Sequence, residues 1–213
     1  MKSFRNFLTE EFKNGGLTIF DIDDTLFKTT ARVTVKKGNK IVKRLDPHSY
    51  NTYELKDGEE FDFKEFRDAE KFYNESKPIK GMMAKAKAII KNTSNNELSR
   101  VIIVTARDDF DDREKFLDTF RKYDFDIDRV RVERAGKIKD IRSTAISKML
   151  IIRNYLNTKQ FSRARLFDDS LENLKMFLHL QKEFEENGLK MFAYVEKLIR
   201  EKCTPNKGIY DED

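Results

Sequence analysis

The predicted fold is organised around residues 17–27, Leu17-Thr18-Ile19-Phe20-Asp21-Ile22-Asp23-Asp24-Thr25-Leu26-Phe27. Its first four residues are mostly apolar, which predicts a buried strand, and three carboxylates and a hydroxyl follow within five positions. In extended chain, residues two apart point to the same side, so Asp21 and Asp23 would share one face. Carboxylates gathered in this way are costly to bury without a compensating positive charge. The pattern indicates a cation site, although a strand that runs into an Asx-rich turn would use the same residue types.

Length and composition indicate one ordinary globular domain. The chain has 213 residues, of which 38% are hydrophobic and 38% charged, and its net charge of +5 gives a mild bias toward anionic partners. Cys203 is the single cysteine, which excludes a disulfide framework and a cysteine metal cluster and fits a reducing compartment. No apolar segment approaches the length of a bilayer span and no apolar signal region is evident, so we expect a cytoplasmic protein without membrane association.

Strand and helix patterns alternate along most of the chain. Apolar runs at residues 17–20, 101–104, 164–167 and 189–195 predict strands, with a shorter one at Val130 and Val132. Helical patterns lie between them: one opens at Pro78, one has Asp108, Asp109, Asp111 and Asp112 around its first turn, one covers residues 143–157 and one ends near residue 187. This alternation predicts an α/β fold with a Rossmann-like parallel sheet and helices on both faces.

Residues 28–77 break the alternation and predict an insertion after the first strand. We therefore divide the chain into a core, residues 1–27 and 78–213, and a small inserted cap or flap, residues 28–77. Residues 28–44 hold seven Lys or Arg and no acid, in a hairpin pattern that turns at Gly38.

The block at residues 54–70 reverses this charge, with eight acids and three bases, and predicts a loop and a short helix. The basic hairpin could follow the backbone of an oligonucleotide. Alternatively, it could pair with the acidic block or simply be solvated.

Three predicted strands end in polar clusters. Asp21 and its neighbours follow the first strand, Thr105 and Arg107 follow the second, and Asp168 and Asp169 follow the fourth. Ligands bind beyond the carboxyl ends of strands in parallel sheets. The sequence therefore predicts that these clusters converge on one site.

The ordered motifs resemble those of the haloacid dehalogenase-like superfamily of phosphotransferases. They are Asp21-Ile22-Asp23-Asp24-Thr25, Thr105 at a strand end, a lysine near Lys148, and Asp168-Asp169. The resemblance covers most of the chain outside the insertion. Within the superfamily, Thr105-Ala106-Arg107, the lysine spacing and Phe167-Asp168-Asp169 are most similar to the phosphatase domain of polynucleotide kinase/phosphatases, which remove 3′-phosphates from nucleic-acid ends. The chain has no Gly-x-x-x-x-Gly-Lys-Ser/Thr phosphate loop, so the resemblance implies a stand-alone phosphatase.

The resemblance implies a phosphomonoester hydrolase that acts through a phosphoaspartate intermediate. Asp21 is the expected nucleophile, because it comes first at the end of the buried strand. Asp23 can protonate the leaving oxygen and later deprotonate the attacking water. A carboxylate at this position favours a phosphatase over a dehalogenase or a pump-like phosphoenzyme.

Several carboxylates that face a phosphate need a cation, and hard oxygen ligands favour Mg²⁺. The resemblance places Asp21, the Asp23 backbone carbonyl and Asp169 on the metal, with Asp168 in support. Thr105 would bind a phosphate oxygen. Lys148 would neutralise charge on the phosphoryl group and on Asp21.

Several candidate site residues are each open to two interpretations. Lys148 lies off the apolar stripe of its helix, so a solvated surface lysine is the alternative, with Lys137 and Lys139 as rivals. Arg107 is either a clamp for the substrate phosphate or a partner for the acids beside it. Asn173 could orient a metal ligand or simply lie on a helix surface.

The substrate stays open among phosphomonoesters. We favour a nucleic-acid 3′-phosphate end or a nucleotide, but sugar and metabolite phosphatases share the same core. A third hypothesis is a catalytically inactive module that binds nucleic acid or protein. No sequence feature indicates an obligate protein partner, and we interpret His48 and His179 as ordinary loop or helix residues.

Overall fold

The computed structural model describes residues 14–46, 49–50, 52–93, 96–138, 143–184 and 188–195. Its strands are β1 (Gly15–Phe20), β2 (Phe27–Lys28), β3 (Val33–Lys37), β4 (Lys40–Leu45), β5 (Glu59–Asp62), β6 (Lys77–Pro78), β7 (Arg100–Thr105), β8 (Arg131–Arg134), β9 (Phe161–Phe167) and β10 (Lys190–Tyr194). Its α-helices are α1 (Ala69–Glu75), α2 (Lys80–Thr93), α3 (Arg113–Arg121), α4 (Thr144–Leu156) and α5 (Leu171–Phe184).

A five-stranded sheet forms the centre of the protein. Its strand order is β10-β9-β1-β7-β8, and every pair is parallel. β1 is fully buried along its length, as expected for a strand that is covered on both faces. The predicted α/β class and central parallel sheet are confirmed.

Two apolar clusters cover the two faces of this sheet. On one face, Phe20 and Ile103 pack with residues of α2 and α3, such as Met82 and Phe116. On the other, Ile19 and its neighbours pack with residues of α4 and α5. The alternation of buried side chains along β1 sends successive residues to opposite faces, so the predicted placement of helices on both faces is confirmed.

The strand order places the three polar clusters side by side. β1 lies between β7 and β9, and Phe20 pairs in register with Ile103 on one side and Phe167 on the other. Backbone hydrogen bonds extend this alignment past the strand ends, from the Asp21 N–H to the Phe167 carbonyl (2.9 Å) and from the Asp168 N–H to the Tyr194 carbonyl (3.3 Å). The segments that follow these strands therefore leave the sheet at one edge.

The segment between β1 and β7 forms a small sheet of its own. The short strands β2 and β6 pair antiparallel, with Lys28 opposite Lys77, so residues 29–76 leave and return at one point. Beyond this point, β4, β3 and β5 form an antiparallel sheet in that order. The predicted hairpin is present, with Gly38 in the left-handed region at φ 57°. The role of residues 28–77 as a cap stays a prediction.

Three local predictions are wrong. The acidic block contains strand β5, which pairs with β3, rather than only a loop and a short helix. Four acids, Asp108, Asp109, Asp111 and Asp112, precede α3 rather than lying around its first turn, and the Asp112 carboxylate caps the helix by accepting from the Lys115 N–H. Pro78 belongs to β6, and α2 begins at Lys80.

Among the described residues, no helix combines the length and the apolar character that crossing a bilayer requires.

Candidate active site

A tight turn after β1 presents the first carboxylates. The Ile22 carbonyl accepts hydrogen bonds from the N–H groups of Leu26 (3.0 Å) and Phe27 (2.9 Å). Asp24 adopts a left-handed conformation (φ 55°) within this turn, which Asp tolerates better than most residues, and its carboxylate pairs with Lys28. Asp21 is buried, whereas the Asp24 side chain is 28% exposed.

Lys148 joins the ends of β1 and β9. Its Nζ lies 2.8 Å from Asp21 Oδ1 and 2.9 Å from Asp168 Oδ2, and the lysine is only 3% exposed. It is the fifth residue of α4, which packs over this edge of the sheet. The alternative of a solvated surface lysine is therefore wrong.

Asn173 fixes the second carboxylate of this group. Its side-chain amide donates to Asp168 Oδ1 (2.9 Å) and Oδ2 (3.0 Å) from the first turns of α5. The Ser170 N–H donates to the same Oδ1 at 2.9 Å. Asn173 is buried rather than on the helix surface, and it holds Asp168 against Lys148.

The carboxylates of Asp21, Asp168 and Asp169 each offer an oxygen within 4.8 Å of the other two. Opposite oxygens around one Mg²⁺ lie about 4 Å apart, so a small side-chain adjustment would let these three oxygens share an ion. Lys148 pairs with Asp21 and Asp168, and it is one positive charge against the three carboxylates of the cluster. The excess of two negative charges is the charge that a divalent cation would balance. The residues present therefore fit the predicted Mg²⁺.

The shifted pKa values of these groups reflect their burial and the excess of negative charge among the carboxylates. Burial raises the pKa of Asp21 well above its usual range, the neighbouring carboxylates add to the rise, and Lys148 only partly opposes it. Burial and the adjacent Asp168 raise the pKa of Asp169 to about 6. Burial would lower the pKa of Lys148, but Asp21 and Asp168 outweigh it and raise that pKa.

Asp23 lies apart from this cluster and forms an ion pair with Arg107. The guanidinium donates to both carboxylate oxygens, from Nε to Oδ2 (2.9 Å) and from Nη2 to Oδ1 (2.7 Å). The Thr29 hydroxyl donates to Oδ1 at 2.8 Å. Burial would raise the pKa of Asp23, but Arg107 and Thr29 outweigh it and hold the pKa below its usual range.

Arg107 is itself enclosed by residues 29–76, here called the small-sheet segment. Its side chain is 1% exposed, its Nη1 donates to the Phe66 carbonyl at 2.9 Å, and its guanidinium lies over the rings of Phe72 (4.6 Å) and Phe66 (5.3 Å). The partner of Arg107 is an acid from the first motif, so the predicted pairing with the acids beside it is wrong. Its predicted role as a clamp for the substrate phosphate stays a prediction. In this conformation the guanidinium faces Asp23 instead of open space.

Thr105 ends β7 next to the carboxylates. It is fully buried, and its Oγ1 accepts a hydrogen bond from the Arg107 N–H at 3.2 Å. This bond fixes the turn that carries Arg107 toward Asp23. Its predicted contact with a phosphate oxygen stays a prediction.

The other predicted candidates lie elsewhere. Lys137 is half-exposed and pairs with Asp109 at 3.1 Å, so of the lysines that the structure describes, Lys148 is the one brought to Asp21. Lys139 and His48 lie outside the described residues. His179 is exposed on α5, in agreement with its interpretation as an ordinary helix residue.

Sequence reasoning missed two contributors to the site. Thr29 offered one signal, a hydroxyl six residues after Asp23 and beyond the turn. Phe66 offered none, because it contributes a backbone carbonyl and a ring face from a short 3₁₀ helix, Lys64–Phe66, 41 residues before Arg107.

Comparison with known proteins does not add a family to this geometry. No protein-family model and no curated protein sequence matches the chain.

Proposed function

We propose that the protein is a Mg²⁺-dependent phosphomonoester hydrolase of the haloacid dehalogenase-like type. The observation that supports this proposal most is the meeting of the Asp21, Asp168 and Asp169 carboxylates, the first two of which pair with the buried Nζ of Lys148. In this proposal, the central parallel sheet is the catalytic core and residues 28–77 are its inserted cap.

Asp21 would carry the phosphoryl group. Lys148 engages its Oδ1, so Oδ2 is the oxygen that attacks phosphorus. The new bond from Asp21 to phosphorus forms while the bond to the leaving oxygen breaks. Asp23 is ionised beside Arg107, so it takes up a proton from solvent before this step and gives that proton to the leaving oxygen. Water then attacks phosphorus, Asp23 takes the proton, and the bond to Asp21 breaks to release inorganic phosphate.

The ion would be held by Asp21, Asp169 and the Asp23 backbone carbonyl, with Asp168 in support. When bound, Mg²⁺ supplies the positive charge that lets a phosphate dianion approach several carboxylates. Asp168 accepts from Asn173 and Lys148, and this network holds its carboxylate in place before substrate arrives.

The test of this function is phosphate release from a generic aryl phosphate. We expect turnover with Mg²⁺, loss after chelation, and loss in Asp21→Asn. Asp24→Asn is the matched control, because Asp24 belongs to the same stretch but pairs with the surface residue Lys28. The absence of wild-type turnover over a broad substrate panel would overturn the proposal and favour the binding-module hypothesis.

For the substrate, we propose a nucleic-acid 3′-phosphate end or a nucleotide. The positive net charge and the exposed basic edge strand β4 support an anionic polymer as substrate. Two other observations favour the alternative of a small sugar or metabolite phosphate. Lys36 pairs with Asp62, and Arg44 pairs with Glu65, so the acidic block neutralises part of the hairpin.

A substrate panel separates these two classes. We expect 3′-phosphorylated oligonucleotides to be hydrolysed faster than sugar phosphates, and Lys40→Glu with Lys43→Glu to slow only the oligonucleotide. Both lysines are exposed on β4, and Lys91→Glu, exposed on α2, is the control. Equal rates on all substrates, unchanged by these substitutions, would favour the small-molecule alternative.

A further inference from the structure

Two separate parts of the small-sheet segment, residues 29–76, hold the Asp23 side chain. At its start, the Thr29 hydroxyl donates directly to Asp23 Oδ1 at 2.8 Å. After strand β5, the Phe66 carbonyl accepts from Arg107 Nη1 at 2.9 Å, and Arg107 binds both oxygens of Asp23. The orientation of this carboxylate therefore depends on residues 29–76 as much as on the central sheet.

The aromatic contacts make the second link a rigid one. The Arg107 guanidinium lies between Asp23 on its edge and the rings of Phe66 and Phe72 on its faces. A planar guanidinium that is stacked and bonded at three nitrogen atoms has little freedom to rotate. Phe72 is part of the apolar core, at 3% exposure, so it ties this arrangement to the main fold.

A further pair of hydrogen bonds ties the same segment to the loop after β7. The Asp111 N–H donates to the Arg67 carbonyl at 3.0 Å, and the Ala69 N–H donates to Asp111 Oδ1 at 2.9 Å. The loop that carries Arg107 and the segment that carries Phe66 are thus joined by two further hydrogen bonds.

We infer that residues 29–76 are a positioning part of the active site, in which Thr29 and Phe66 orient Asp23 for proton transfer to the leaving oxygen. Thr29 acts directly and Phe66 acts through Arg107. This inference rests on the proposed function, since it assigns these residues to the step in which Asp23 protonates the leaving group. It differs from a substrate-selecting cap, because the defect it predicts does not depend on the substrate's shape.

The dependence on the leaving group tests the inference. The phenolate of an aryl phosphate with an acidic phenol leaves without much help from a general acid. The alkoxide of an alkyl phosphate is a poor leaving group and needs the proton. We expect Thr29→Val and Phe66→Leu to lower kcat/KM about tenfold or more for the alkyl phosphate and much less for the aryl phosphate. A residue that only supports folding would lower both values by the same factor.

Two matched substitutions control for damage to the segment. Thr30→Val removes a neighbouring hydroxyl that binds Glu75, and Phe63→Leu shortens an exposed ring that packs on Tyr50. We expect neither to change the ratio of the two kcat/KM values, and thermal unfolding would show that all four variants fold.

The outcomes separate the two proposals. If the wild type hydrolyses neither ester, the proposed function fails. If it hydrolyses both and Thr29→Val and Phe66→Leu leave the ratio unchanged, the positioning role is wrong while the function stands.

Discussion

The Nζ of Lys148 lies 2.8 Å from Asp21 Oδ1, across 127 residues of sequence, and both side chains are buried. A buried ion pair contributes little net stability, yet removal of one partner leaves the other charge uncompensated. Here the second partner of Lys148 is Asp168, at 2.9 Å, so one ammonium serves two buried carboxylates.

Loss of the Lys148 ammonium should therefore destabilise the folded protein. We expect Lys148→Met to lower the free energy of unfolding by about 3–5 kcal/mol in the absence of metal, measured by urea denaturation at pH 7. Lys137→Met is the control, since that lysine pairs with Asp109 at the surface and should cost less than about 1 kcal/mol. Equal effects of the two substitutions would contradict the central place of Lys148 in the charge balance.

Metal affinity should depend on pH through Asp169. Its pKa is raised to about 6, so its carboxylate is protonated below that pH, and the proton competes with Mg²⁺. We expect the affinity for Mg²⁺, measured by isothermal titration calorimetry, to fall by about tenfold for each pH unit below 6.

The raised pKa of Asp169 also predicts how the stability of the metal-free protein changes with pH. Because the folded protein holds this proton more tightly than the unfolded chain, the stabilisation is present at low pH and is lost as pH rises through about 6. Mg²⁺ should restore it and raise Tm at pH 7. Asp126→Asn, at an exposed position, should leave this behaviour unchanged, and equal Mg²⁺ affinities at pH 5 and pH 7 would contradict the prediction.

Asn173 should matter for both stability and activity. Its amide donates to both oxygens of Asp168, and hydrogen bonds to charged groups contribute about 1.5–3 kcal/mol. We expect Asn173→Ala to cost about 2 kcal/mol in urea denaturation and to lower aryl phosphatase activity by about tenfold to 100-fold. Asn154→Ala, exposed on α4, is the control. Full activity in Asn173→Ala would show that Asp168 needs no such support.

The convergence of the site residues could be predicted from the sequence, because it follows from general rules of parallel sheets. Buried apolar runs predict parallel strands, and polar residues after such strands meet at one edge. The resemblance predicted Lys148 as the lysine beside Asp21, but the helix pattern did not predict its burial, because α4 buries residues around much of its circumference, including Ser147 and Lys148 itself. Its apolar stripe alone therefore pointed the lysine toward solvent.

The missed features depend on partners distant in sequence. β5 contains Glu59, Glu60 and Asp62, which have low strand propensity, and it forms because Lys36 and Lys37 of β3 lie opposite Glu60 and Glu59. The pairing of Arg107 with Asp23 spans 84 residues and is completed by a backbone carbonyl, which no side-chain pattern encodes.

Gly136 should be irreplaceable because of its contact with the loop after β7. A Cβ at this position would lie 2.3 Å from the Ala106 carbonyl oxygen and 2.9 Å from the Arg107 carbonyl carbon, both backbone atoms that cannot move away cheaply. Gly136→Ala would therefore push the segment that carries Arg107 and disturb its bonds to Asp23. We expect a loss of about 1–3 kcal/mol in stability together with a lower kcat.

Gly81→Ala provides the matched comparison. A Cβ at Gly81 meets nothing within 4 Å, and the residue lies in α2, where alanine is favoured over glycine by about 0.5–1 kcal/mol. Urea denaturation should therefore show Gly81→Ala as neutral or stabilising and Gly136→Ala as destabilising, and aryl phosphate turnover should fall only in Gly136→Ala. If both variants kept wild-type turnover, the close approach of Gly136 to Ala106 would have no part in holding Arg107 against Asp23.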